Sequence, residues 1–145
     1  KIRGIDVEVY LLGNPEKATP QTAQQLKIAN YYNIPVTNDL NHVVNATVII
    51  DAIFGVGLSR NVTGKFADAI NAINAADAKT VAIDVPSGIN ADTGEVMGVA
   101  VVADSTTTMA YNKIGLLTTE GKHHAGTIHV ADIGIYAQDR LEHAR

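Results

Sequence analysis

Short apolar runs rich in β-branched residues alternate along this chain with stretches whose apolar positions recur at helical spacing. Ile5 to Leu12 alternates and is rich in Val and Leu, which predicts a strand ended by Gly13-Asn14-Pro15. Thr19-Pro20 offers a hydroxyl N-cap with proline at the first helical position. A helix is therefore predicted from there to about Tyr32, and Pro35 forbids its extension. Residues 38 to 45 are ambiguous and suit a short helical turn, and Thr47 to Ile50 predicts a second strand. Between Gly64 and Asp77, the residues Phe66, Ile70 and Ile73 fall on one face of a predicted helix. Lys79 to Asp84 predicts a third strand, and residues 88 to 98 are rich in turn formers and predict a loop. Asp104 to Ala110 and Thr127 to Ile133 predict the fourth and fifth strands, and the polar tail at 136 to 145 is compatible with a helix. Strands alternating with helices indicate βαβ units, hence the α/β class with a mostly parallel sheet.

Composition narrows this picture modestly. A chain of 145 residues predicts one compact domain spanning 1–145, with no internal repeat or low-complexity linker. The formal net charge of −4 lacks the basic footprint expected of a nucleic-acid binder. The absence of cysteine excludes disulfides and thiolate metal sites and fits a cytoplasmic protein. No apolar run approaches the roughly 20 residues of a membrane-spanning helix. Lys1-Ile2-Arg3-Gly4 reads as the last turn of a helix with a glycine stop, which leads us to expect that a preceding segment is not represented.

The candidate chemistry sits where apolar runs end. Asp51 follows Ile50, Asp84 follows Ile83, and Tyr111-Asn112-Lys113 follows the strand at 104 to 110. In a parallel sheet these ends share one edge, where ligands of open α/β sheets bind. A carboxylate beside an ammonium there can transfer protons, each perturbing the other's pKa. Each acid taken singly could equally cap a helix or fix a turn. Gly55-Val56-Gly57-Leu58-Ser59-Arg60 could bring backbone amides and a guanidinium to an anion. Taken alone it reads as an ordinary strand-to-helix turn, because it lacks the third glycine of the dinucleotide fingerprint. The Ser87 hydroxyl in Pro86-Ser87-Gly88 could face a ligand or a hard cation. Ser59 and Ser87 lack the surroundings of a hydrolase nucleophile. His123-His124 reads as part of a solvated loop, and His42, His129 and His143 are isolated.

Three segments, Asp51 to Arg60, Ile83 to Gly94 and Asn112 to Leu117, together resemble the NAD(P)H-hydrate epimerase family, also called the YjeF N-terminal domain family. The resemblance spans essentially the whole chain in order and spacing. It implies a Rossmann-like three-layer αβα sandwich and an isomerase that interconverts the R and S epimers of hydrated NADH and NADPH. A partner dehydratase domain or protein would then restore the cofactor, and a homodimer is expected. The resemblance further implies Asp84 and Lys113 as catalytic residues and Asp84 as a substrate contact. Gly55, Val56, Gly57, Leu58, Ser59, Arg60 and Asn61 would contact the substrate phosphates. Asp51 and Ser87 would hold a potassium ion. Family members also carry a first strand and a Gly-Asn-Asn-Gly-Gly-Asp-type loop before the strand at Ile5 to Leu12, and the present sequence does not include them. Two other readings compete: a non-catalytic protein-binding module on the same scaffold, disfavoured by Asp84 and Lys113 occurring together, and a generic dinucleotide-using oxidoreductase, disfavoured by the missing glycine fingerprint.

Overall fold

Every strand ladder in the computed structural model, which describes residues 4–135, is parallel. The elements run β1 (Val9–Tyr10), α1 (Pro20–Tyr31), β2 (Val36–Thr37), α2 (Asn41–Val44), β3 (Val48–Asp51), α3 (Lys65–Ala75), β4 (Lys79–Ile83), β5 (Ser105–Met109), α4 (Thr119–Ala125) and β6 (Thr127–Ala131). Two short 3₁₀ turns occupy Pro15–Lys17 and Ile114–Leu117. The strands form two sheets, β1-β2 and β3-β4-β5-β6. This is the α/β class expected from the alternation of short apolar runs and helical segments.

Local chemistry explains several boundaries. Thr19 caps α1 by accepting a hydrogen bond from the Thr22 amide at 3.2 Å, with Pro20 as the first helical residue. The helix at 64 to 77 is observed as α3, with Gly64 at its N-cap and Ala69, Ile70 and Ile73 buried. The ambiguous 38 to 45 segment contains α2.

Other expectations need correction. Only Val9 and Tyr10 of the Ile5 to Leu12 segment form a ladder, because β2 offers just two residues to pair with. β2 itself was not anticipated: two residues are too short to show a period. Its pairing is nevertheless well made, with the Val9 amide donating to the Pro35 carbonyl and the Leu11 amide to the Thr37 carbonyl, both at 2.8 Å. The fourth and fifth strands are shorter than expected at their ends. His123-His124 lies in α4 rather than in a solvated loop, and His124 is buried. The possible helix at 136 to 145 and the helix end at Lys1 to Arg3 lie outside the described residues.

The register decides which face of the larger sheet is covered. Parallel partners project to the same side and neighbours along a strand alternate. Ile49, Thr80, Ala82 and Thr106 therefore share one face, and all four are buried. On that side Ile49 and Ala82 pack with Ile70 and Ile73 of α3, while the Thr106 hydroxyl donates to the Ala125 carbonyl of α4 at 2.8 Å. A second apolar cluster joins Val85, Ile89, Leu116 and Ala125 below the loop that follows β4. The opposite face carries Val48, Ile50 and Met109, which are 55%, 64% and 42% exposed.

Candidate active site

β3, β4 and β5 are adjacent and parallel, so their carboxyl ends lie side by side. This register brings Asp51, Asp84 and the turn leading to Lys113 to one edge of the sheet, as the polar strand ends suggested.

Asp51, the last residue of β3, is 1% exposed. Its carboxylate accepts the Ser87 hydroxyl at 2.6 Å, the Ser87 amide at 2.7 Å and the Ile53 amide at 3.3 Å. The Ser87 hydroxyl in turn accepts the Phe54 amide at 2.9 Å, and the Phe54 carbonyl lies 3.3 Å from it. Two strand-end loops are thus tied together through one carboxylate. Burial pushes the Asp51 pKa up, and the hydrogen bonds from Ser87 and Ile53 offset this only in part.

Asp84 follows the last residue of β4 and adopts φ +70°, a left-handed conformation that Asp tolerates better than most side chains. Its amide still donates to the Thr107 carbonyl at 2.8 Å, extending the ladder by one bond. On the neighbouring strand end, Ala110 also has a positive φ of 62°, and the Tyr111 amide folds back onto the Met109 carbonyl at 2.7 Å. This reversal returns Lys113 to the end of β5. Lys113 Nζ lies 2.5 Å from Asp84 Oδ1, 2.8 Å from the Met109 carbonyl and 3.0 Å from Thr108 Oγ1. The Asp84 and Lys113 side chains are 18% and 19% exposed, so the pair is partly shielded from water. Burial pulls the Asp84 pKa up, but the hydrogen bonds from Lys113, the Met109 amide and Thr108, with the Lys113 charge, outweigh it and hold Asp84 below the usual carboxylate range.

Lys113, Thr108 and the Met109 amide all reach the same oxygen, Oδ1. The other oxygen, Oδ2, faces Gly55: a Cβ built on that glycine would stand 3.8 Å from it. The loop Gly55 to Asn61 therefore starts beside the free oxygen of Asp84. Val56 is exposed, Leu58 packs against the core and holds the loop down, and no atom approaches the Cβ position of Gly57. Ser59, Arg60 and Asn61 are exposed. Neither Gly55 nor Gly57 has a positive φ. What the missing side chain of Gly55 provides is open space next to Asp84.

Thr108 was missed by sequence reasoning. Alternation along β5 puts Thr106 and Thr108 on the buried face, and a buried hydroxyl next to a polar strand end is the signal that could have found it. Among the described residues, none of the histidines has a contact at this edge, and His143 lies outside them. His124 donates from Nδ1 to the Val101 carbonyl at 2.9 Å and pins α4 to the loop before β5, while His42 pairs with Glu8. A hollow of about 460 Å³ is lined by Thr93, Gly94, Glu95, Val96, Thr118, Thr119 and Glu120, and none of the site residues contributes to it. Among the described residues, no group of three or more His, Cys, Asp or Glu side chains is placed to hold a metal ion.

Residues 1–115 match the family model of the YjeF-related protein N-terminus. The chain is 89% identical over 145 residues to a Levilactobacillus brevis protein named NAD(P)H-hydrate epimerase, covering all of this chain and 67% of that protein. A Limosilactobacillus reuteri protein of the same name is 54% identical over 139 residues, 95% of this chain and 66% of its own length. The chain thus spans about two thirds of the length of these curated relatives. The crystal structure of yeast ynu0 has the same fold, with a TM-score of 0.67 at 18% identity over 88% of this chain and 55% of the yeast chain. With the family model covering most of its length and a relative 89% identical over all of it, this chain belongs to the YjeF-related protein N-terminus family.

Proposed function

We propose that this chain carries the catalytic edge of an NAD(P)H-hydrate epimerase, an isomerase that interconverts the R and S epimers of hydrated NADH and NADPH. The observation that carries the reading is the Asp84–Lys113 pair at the carboxyl end of the sheet, with Oδ2 open beside the Gly55 loop. The two relatives named for that activity support it. Inverting the hydroxyl-bearing ring carbon needs a group that can take and return a proton, or stabilise positive charge on the ring nitrogen while the hydroxyl leaves. A carboxylate held ionised near neutral pH by Lys113 can do either. The Gly55 to Asn61 loop, exposed at Val56, Gly57 and Ser59 to Asn61, suits the substrate phosphates with the guanidinium of Arg60.

Potassium fits the donors present. Asp51, Ser87 Oγ and the Phe54 carbonyl gather oxygens at one point, and the described contacts of the buried Asp51 are all with neutral groups. Asp51 and Ser87 would hold the ion, which, when bound, would offset the negative charge that a pyrophosphate meets near Asp51 and Asp84. The proposal extends to cytoplasmic action, a homodimer and coupling to a dehydratase that consumes one epimer.

The test is direct. Hydrated NADH enriched in one epimer is incubated with the protein in its full natural length, and the epimer ratio is followed by chromatography. Equilibration well above the uncatalysed rate is expected; equilibration at the uncatalysed rate would refute the reading.

A further inference from the structure

We propose that Thr108 is a positioning residue for this reaction: its hydroxyl and the Lys113 ammonium together lock one oxygen of Asp84, so that the other oxygen alone meets the substrate. The inference rests on the epimerase reading and deepens it. An ammonium has three protons to donate. Those of Lys113 are matched by three acceptors, Asp84 Oδ1, Thr108 Oγ1 and the Met109 carbonyl. No proton of Lys113 is left over for a substrate in this arrangement, which makes Lys113 a charge that holds Asp84 rather than a donor to the reacting ring.

Thr108 completes the cradle. It is 0% exposed, so a substrate cannot reach it. Its hydroxyl accepts from Lys113 and has one proton to give, with Asp84 Oδ1 at 3.3 Å and the Tyr111 carbonyl at 3.4 Å as its acceptors. With the Met109 amide at 3.1 Å, three donors converge on Oδ1. Oδ2 is left facing the space that Gly55 keeps open. A carboxylate fixed at one oxygen cannot rotate, so the direction of its free oxygen is set by the scaffold. Fixed orientation of this kind is the part of catalysis that small displacements destroy.

Steady-state kinetics of Thr108→Val and Thr108→Ser in the full-length protein test this. Valine keeps the shape and removes the hydroxyl. Its kcat should fall about 10- to 100-fold with KM unchanged. The acid limb of its pH profile should move to higher pH, because a donor to the charged carboxylate is lost. Serine should restore both. Wild-type kcat with an unmoved acid limb, a loss confined to KM, or a serine variant as impaired as valine would overturn the proposal. If the valine variant does not fold, carbon-13 NMR of the Asp84 carboxyl in wild type and in Thr108→Ala decides: titration below the ordinary value of about 3.9 in wild type and at a higher pH in the alanine variant is expected, and an unmoved titration overturns the cradle. That reading needs no turnover. A wild-type protein whose Asp84 titrates low but which does not equilibrate the epimers would overturn the epimerase reading and leave the cradle standing.

Discussion

Two carboxylates one strand apart are held in opposite senses. Asp84 is partly buried against a cation and stays below its usual range, whereas Asp51 is fully buried among neutral donors and is pushed up. The signs of their pH linkage differ accordingly. Asp84 contributes stability that is present above its unfolded pKa and is lost as pH falls through its lowered folded value. For Asp51 the folded protein binds the proton more readily than the unfolded chain, so ionising it above its raised folded pKa costs stability. A monovalent cation at Asp51 would offset that cost, because it favours the ionised form. We therefore expect potassium chloride to raise the melting temperature at neutral pH relative to choline chloride at equal ionic strength. At potassium ten times its Kd the gain is about 1.4 kcal/mol. It should fade as pH falls through the Asp51 pKa and vanish in Asp51→Asn. Equal melting temperatures in the two salts would leave Asp51 as a tie between loops.

The element that closes the second apolar cluster is α4, and glycine makes its packing possible. A Cβ on Gly121 would collide with the Gly115 carbonyl, within the 3₁₀ turn that follows Lys113. Thr118 joins the two elements, capping α4 through the Gly121 amide at 3.0 Å while its hydroxyl donates to the Gly115 carbonyl at 2.9 Å. Gly121→Ala should therefore destabilise the protein by about 1–3 kcal/mol in chemical denaturation despite alanine's better helix propensity. A stabilised variant would contradict the packing. The same glycine shows why α4 was not legible in the sequence. Thr-Glu-Gly-Lys-His-His has no apolar stripe, and its helix is fixed by a close approach that periodicity does not record. β3, β4, α3 and the polar strand ends were legible because their burial alternates along the chain or falls on one helix face. The convergence of Asp51, Asp84 and Lys113 followed from that reading, but the cradle did not. It depends on the reversal at Ala110 and Tyr111, where the positive φ sits on an alanine that signals no turn.

At the scale of the molecule, and among the described residues, the four-stranded sheet is covered on one face and β3 is an edge strand. Val48 and Ile50 of β3 are exposed and unusually apolar for such an edge. An uncovered apolar face beside an open edge favours association with another chain. The polypeptide 1–145 should therefore show a concentration-dependent mass in light scattering, and Ile50→Lys should return it to a monomer. A wild-type chain that stays monomeric at every concentration would remove the basis for pairing through this edge.

In the proposed epimerase, Asp84 carries the chemistry and the surrounding residues direct it. The most direct measurement compares wild type with Asp84→Asn for the rate at which one epimer of hydrated NADH becomes a mixture of both, alongside substrate affinity and thermal unfolding. An amide keeps the shape and loses the base and the charge, so the rate should fall about 10²–10⁴-fold with folding and some binding retained. A folded Asp84→Asn protein that equilibrates the epimers at the wild-type rate would contradict the account.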